Sequence, residues 1–134
     1  MILVDSSVLI DLIERTPEWF EWRAEQLYAA MQRDQVGINA IIFAEVSRSF
    51  DSFEAQNAFL QTTGISYLHI PAAAAYAASA AHRVPTVRRV GRGLRHCRIF
   101  FIGAHAQVAG HTLMTRDAKR MLTYFPHVPV LSPR

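Results

Sequence analysis

Negative charge is scarce in this sequence, and the place where it runs out is informative. The 134 residues carry eleven Asp and Glu, and none of them stands between Glu54 and Asp117. Cysteine is nearly absent: Cys97 stands alone, which excludes an internal disulfide and any cysteine-rich zinc site. No apolar run approaches the roughly 18 residues of a membrane span. No basic segment precedes the first apolar residues, so the start does not read as a signal peptide. A Gly-x-x-x-x-Gly-Lys-Ser/Thr phosphate loop is missing, as is a Gly-x-Gly-x-x-Gly after a strand. Gly91-Arg92-Gly93 is too short to stand in for either. The six His show no metal-ligand spacing, and His105, inside an apolar helix, reads as a core residue. These absences leave a cytoplasmic, bacterial-type protein without a membrane segment. The length suits one domain over residues 1–134, able to bury roughly two-thirds of its unfolded surface.

What charge there is, is lopsided. Residues 1–54 hold ten of the eleven acids against four Arg, a net of −6; the remainder holds Asp117 against nine Arg and Lys119, a net of +9. Such asymmetry points to a polyanion, to an acidic protein partner or to self-association, unless folding brings the halves together and cancels the field. Arg88, Arg89, Arg92, Arg95 and Arg98, with Gly91 and Gly93 between them, read as a mobile basic loop over 88–98. Its arginines offer phosphate contacts that would position such a polyanion without reading its sequence.

The chain alternates strand and helix. Ile2-Leu3-Val4 is a strand buried on both faces, and Ser6 or Ser7 can cap a helix to about Ile13. A long amphipathic helix runs from Pro17 to about Arg33, and Val36-Gly37-Ile38 is a short strand. Asn39 caps a helix to about Phe50, and Ser52 opens another that Gly64 stops. Ile65 to Ile70 reads as a strand, 71–83 as an alanine-rich helix and Ile99 to Val108 as a buried helix. Strand 112–115, a short helix 117–122 and a strand around 128–131 complete the chain. The fold class is α/β: a three-layer αβα sandwich around a central parallel sheet of about 4–5 strands.

Three acids have apolar neighbours. Asp5 follows Ile2-Leu3-Val4, Glu45 interrupts Ile41-Ile42-Phe43-Ala44, and Asp117 follows a second strand. Each alone has a plain explanation as a cap or a solvated position. Together they suggest a cluster, because buried carboxylates need partners and like charges need a cation between them. Hard oxygen donors without Cys or His spacing favour Mg²⁺, with Mn²⁺ possible, over zinc. Such an ion beside a basic loop suits the activation of water against a phosphodiester. The Asp-x-Asp phosphatase motif fails, because Ser7 occupies its second position.

Val4-Asp5-Ser6-Ser7-Val8-Leu9-Ile10-Asp11 resembles the opening of PIN-domain proteins, chiefly the VapC toxins of bacterial toxin–antitoxin pairs. Phe43-Ala44-Glu45-Val46 is similar to their second motif. Phe100-Phe101-Ile102-Gly103-Ala104-His105-Ala106 and Leu113-Met114-Thr115-Arg116-Asp117-Ala118 resemble the third and fourth, and Tyr124-Phe125-Pro126 their ending. The resemblance implies a PIN-like fold and a Mg²⁺-dependent endoribonuclease that is a homodimer inhibited by a cognate antitoxin. It implies Asp5, Glu45 and Asp117 as catalytic, metal-holding acids, with Ser6 and Thr115 supporting the site or the substrate phosphate. One position departs: Ile99 stands where the third motif has an acid. The loss weakens metal binding, and returning an aspartate at 99 is expected to raise cleavage. The alternative is an impaired PIN-fold protein that binds RNA or antitoxin without cutting.

Overall fold

A strand with no polar side chain has to be covered on both faces. The computed structural model describes residues 1–14, 20–82 and 94–132, apart from the side chains of residues 20, 22, 23, 82 and 94–97. It places Ile2–Val4 (β1) at the centre of a five-stranded sheet, with Leu3 and Val4 wholly buried. The other strands are Val36–Ile38 (β2), Ser66–Tyr67 (β3), Thr112–Met114 (β4) and Val130–Leu131 (β5). All pairings are parallel and the order is β3-β2-β1-β4-β5. Ile2 lies opposite both Val36 and Thr112, and Leu3 opposite both Gly37 and Leu113. The chain therefore builds outward on one side of β1 and then crosses to the other. That reversal between β1 and β4 is the switch point at which open α/β sheets leave a crevice at the carboxyl ends of their strands.

Seven helices flank the sheet among the described residues: Ser6–Ile13 (α1), Phe20–Arg33 (α2), Ala40–Val46 (α3), Phe53–Thr63 (α4), Ala72–His82 (α5), Leu94–Ala109 (α6) and Ala118–Tyr124 (α7). The α/β class and parallel sheet are as expected from the sequence; several boundaries differ. Asp5 caps α1 by accepting from the Ser6 N–H, as its plain reading from the sequence had it, while Ser6 and Ser7, the other candidate caps, lie within the helix. The helix after Asn39 ends at Val46 and tightens into a 3₁₀ turn at Ser47–Ser49. Gly64, at φ 76°, ends α4 in the left-handed conformation that glycine adopts without penalty. The larger correction concerns the basic loop: α6 begins at Leu94, so Arg95 and Arg98 lie on a helix. Arginine is a good helix former, and composition alone disguised that start. Arg88, Arg89 and Arg92 lie outside the described residues, and for Arg95 only the backbone is described.

Two contacts hold α3 and α6, the helices that matter below. Asn39 caps α3 by accepting from the Ile42 N–H at 3.1 Å, and its amide nitrogen lies 3.1 Å from His105 Nδ1 on α6. With the Asn39 oxygen used by the cap, its nitrogen donates, so His105 Nδ1 accepts and the ring is neutral with its proton on Nε2. At Gly103 an added Cβ would run into the Phe125 ring and come within 2.9 Å of Met121 Sδ. The close approach of α6 to the buried Phe125 and Met121 thus needs a residue without a side chain.

Gly103→Ala is expected to lower stability by a net of about 1–2 kcal/mol, because overpacking outweighs the ~1 kcal/mol of helix propensity gained. Thermal unfolding checks this, with a Tm lower by several degrees. Burial, and then the nearby His111, hold the His105 pKa below its ordinary 6.5. Burial and the N-terminal ammonium lower that of His111, with Asp34 pulling the other way. The unfolded chain thus takes up protons near pH 6.5 that the folded one refuses, so stability falls as pH drops below about 6.5. Urea unfolding at pH 7.5 and 5.5 should show that loss, and His105→Gln should flatten it while leaving the share due to His111.

Candidate functional site

The site is assembled where β1 and β4 end. Asp5 follows β1 directly and is held there by its backbone N–H, which donates to the Met114 carbonyl at 2.8 Å. Thr115 follows β4 and is fully buried. Its hydroxyl donates to Asp5 Oδ2 at 2.8 Å and accepts from the Asp117 N–H at 3.0 Å. Ser7 Oγ donates to the same Asp5 oxygen at 3.2 Å. Asp5 is 4% exposed, so its charge depends on these donors rather than on water.

Glu45 arrives from α3. Ser6 Oγ donates to Glu45 Oε1 at 3.0 Å and so links the two acids. Between them lies the Arg98 guanidinium, brought by α6. Its Nη2 lies 3.0 Å from Asp5 Oδ1, 3.0 Å from Glu45 Oε1 and 3.1 Å from Ser6 Oγ, and its Nε donates to Glu45 Oε2. Arginine's planar fork matches this demand for several donors at fixed angles, as a lysine ammonium would not. Burial works against the charged guanidinium, but the Glu45 hydrogen bond and the charges of Asp5 and Glu45 outweigh it and raise the Arg98 pKa.

Of the three acids expected to share one ion, the structure brings together Asp5 and Glu45. The Asp117 carboxylate is half exposed and lies 3.9 Å from Arg120 Nη1. Among the described residues no three His, Cys, Asp or Glu side chains are grouped so as to hold a metal. Ser6 and Thr115 are both in contact with the acids, Ser6 bridging them and Thr115 bound to Asp5. Ile99 is 3% exposed and belongs to the hydrophobic core. An aspartate at 99 would enter apolar surroundings, so that substitution is a poor way to restore the site.

Sequence reasoning missed Arg98 as a site residue. Its signal was its position beside the departed acid, one step along a helix whose next residue is buried. It also missed Asp11, on α1, which is 5% exposed and accepts from Arg116 Nη1 at 3.3 Å. An acid within the apolar run Val8–Ile13 was the available sign.

Thr115→Val keeps the shape of the residue but removes one of the two donors to Asp5 Oδ2 and leaves the Asp117 N–H without its acceptor. It should cost about 2 kcal/mol in urea unfolding, while Thr115→Ser should recover most of it.

No family model and no curated protein sequence matches this chain. Solved structures do. A chain of the Rickettsia felis VapBC2 structure, bound to a DNA fragment from its promoter, superposes with a TM-score of 0.71 at 15% identity, covering 98% of each chain. A chain of the DNA-bound Salmonella typhimurium VapBC structure gives 0.69 at 18% identity, covering 98% of this chain and 96% of that one. A chain of a Klebsiella pneumoniae toxin–antitoxin complex gives 0.63 at 21% identity, covering 100% and 98%. Over its full length, then, this chain has the fold found in these VapBC and toxin–antitoxin structures.

Proposed function

We propose that this protein is the toxin of a toxin–antitoxin pair: an endoribonuclease of the PIN type, acting as a homodimer with a cognate antitoxin as its inhibitor. The observation that carries the reading is the meeting of Asp5 and Glu45, distant in sequence, at the switch-point crevice with the hydroxyls of Ser6 and Thr115 around them. The chain's motif resemblance and its likeness in fold to VapBC and toxin–antitoxin structures support the assignment.

The donor set fits a hard divalent cation, Mg²⁺ or Mn²⁺, since it consists of carboxylate and hydroxyl oxygens without sulfur or imidazole. Asp5 and Glu45 would hold the ion, with Asp117 joining them only by turning away from Arg120. When bound, such an ion supplies Lewis-acid stabilisation of a phosphodiester and a more acidic water. Thr115 and Ser7 fix the rotation of Asp5, and Ser6 fixes Glu45 against it. The basic segment that includes Arg88, Arg89, Arg92 and Arg95 supplies phosphate contacts for RNA, which position without reading bases.

Arg98 favours a second reading: a PIN-fold protein that binds RNA or antitoxin and cuts weakly or not at all, because its two acids are already neutralised. One experiment separates the two. Purified protein is incubated with single-stranded RNA in Mg²⁺, in EDTA, and as Asp5→Ala. Cleavage that is lost in EDTA and falls at least a hundredfold in Asp5→Ala, about 2.7 kcal/mol of barrier, supports the nuclease. Intact RNA that is nevertheless bound, with an affinity that drops steeply with salt, supports the binding protein.

A further inference from the structure

The protein already contains a cation at the place where its two site carboxylates converge. An ionised carboxylate offers about four acceptor positions. On Asp5 all four are taken by the protein: Oδ1 accepts from the Ser6 N–H at 2.8 Å and Arg98 Nη2 at 3.0 Å, and Oδ2 from Thr115 Oγ1 at 2.8 Å and Ser7 Oγ at 3.2 Å. On Glu45, Oε1 accepts from Ser6 Oγ and Arg98 Nη2, both at 3.0 Å, and Oε2 accepts from Arg98 Nε. Among the described residues Arg98 is the only charged partner common to both acids, and the only one of these donors on a long, flexible side chain.

We infer that Arg98 is the resident cation of the Asp5–Glu45 pair and that it and a divalent ion exclude one another there. The inference rests on the reading of this pair as the metal-holding centre, and it adds what controls metal entry. With the guanidinium in place, an arriving ion finds no open position on Asp5 and meets a positive charge at hydrogen-bond range. With it withdrawn, Oδ1 of Asp5 and both oxygens of Glu45 open toward the same space.

The sequence around Arg98 fits the same account. Successive helix residues point about 100° apart, so burying Ile99 in the core turns Arg98 toward another side, where the strand ends lie. A base at 98 thus brings to the two acids the charge that a bound cation would otherwise supply.

The test is Mn²⁺ binding, read from the electron paramagnetic resonance signal of the free ion, for wild type, Arg98→Gln and Arg98→Lys. Arg98→Gln should bind Mn²⁺ at least tenfold more tightly than wild type, about 1.4 kcal/mol, and should gain more Tm from added Mn²⁺. Arg98→Lys, which keeps the charge but not the fork, should fall between wild type and Arg98→Gln. Equal Mn²⁺ affinity in wild type and Arg98→Gln overturns the inference, whether both bind or neither does. Should Arg98→Gln not fold, nuclear magnetic resonance of wild type decides the matter. A slowly exchanging Arg98 Nε–H signal in the metal-free protein supports the resident cation; a freely exchanging one, or a protected one that stays unchanged when a divalent ion is bound by Asp5 and Glu45, overturns it. RNA cleavage measured in parallel keeps the two ideas apart. Tighter Mn²⁺ binding in Arg98→Gln without cleavage by either protein upholds the cation and removes the nuclease. Equal binding with Mg²⁺-dependent cleavage does the reverse.

Discussion

Two carboxylates held close together inside a protein demand a positive charge between them. At about 4 Å two like charges repel by roughly 4 kcal/mol even in an effective dielectric near 20. Asp5 cannot turn to water, since its side chain is 6% exposed, and Glu45 is only a quarter exposed. The Arg98 guanidinium answers that demand with donors to both acids and to Ser6. Because Arg98 itself is 29% exposed, solvent screens part of this coupling, and its net worth is below that of a fully buried pair. Its removal would still expose the remaining acids to each other.

The architecture serves to deliver these groups. β1 ends in Asp5 and β4 in Thr115, and the parallel register of Ile2, Leu3 and Val4 with Thr112, Leu113 and Met114 sets those ends side by side. Glu45 and Arg98 come from helices, so their placement depends on how α3 and α6 are anchored. Asn39 caps the first and bonds His105 on the second, which makes one buried amide responsible for the approach of both. Gly103 lets α6 settle against Phe125 one and a half turns beyond Arg98. The residues that look purely structural therefore fix the spacing of the charged ones.

Much of this was legible in the chain. An all-apolar Ile-Leu-Val run announces a covered strand, and an acid directly after it announces the crevice. Glu45 stood out because apolar residues flank it in the sequence, Ile41 to Ala44 before it and Val46 after it. Asp117 could not be placed, since an acid just after a strand is equally a helix start, and it stands at the N-cap position of α7 without a side-chain capping bond. Arg98 was hidden by its company. Five arginines among glycines read as a solvated loop, and no periodic rule tells which one of them turns inward. That is decided by Ile99, whose burial fixes the rotation of α6, and burial is a tertiary fact.

The charge asymmetry of the sequence takes on a different meaning once the chain is folded. An acidic first half and a basic second half suggested a field aimed at a polyanion. Among the described residues, however, two arginines of the second half are used inward: Arg98 on Asp5 and Glu45, and Arg116 on Asp11. Folding thus pairs the halves and removes part of the field that the linear sequence displays. An RNA phosphate offers guanidinium the same bidentate geometry as a carboxylate, so any polyanion reaching this crevice competes with Asp5 and Glu45 for Arg98. The group that neutralises the acids is then also the one most open to exchange by a ligand. In this chain the stability of the fold and access to its carboxylates are opposed through a single side chain.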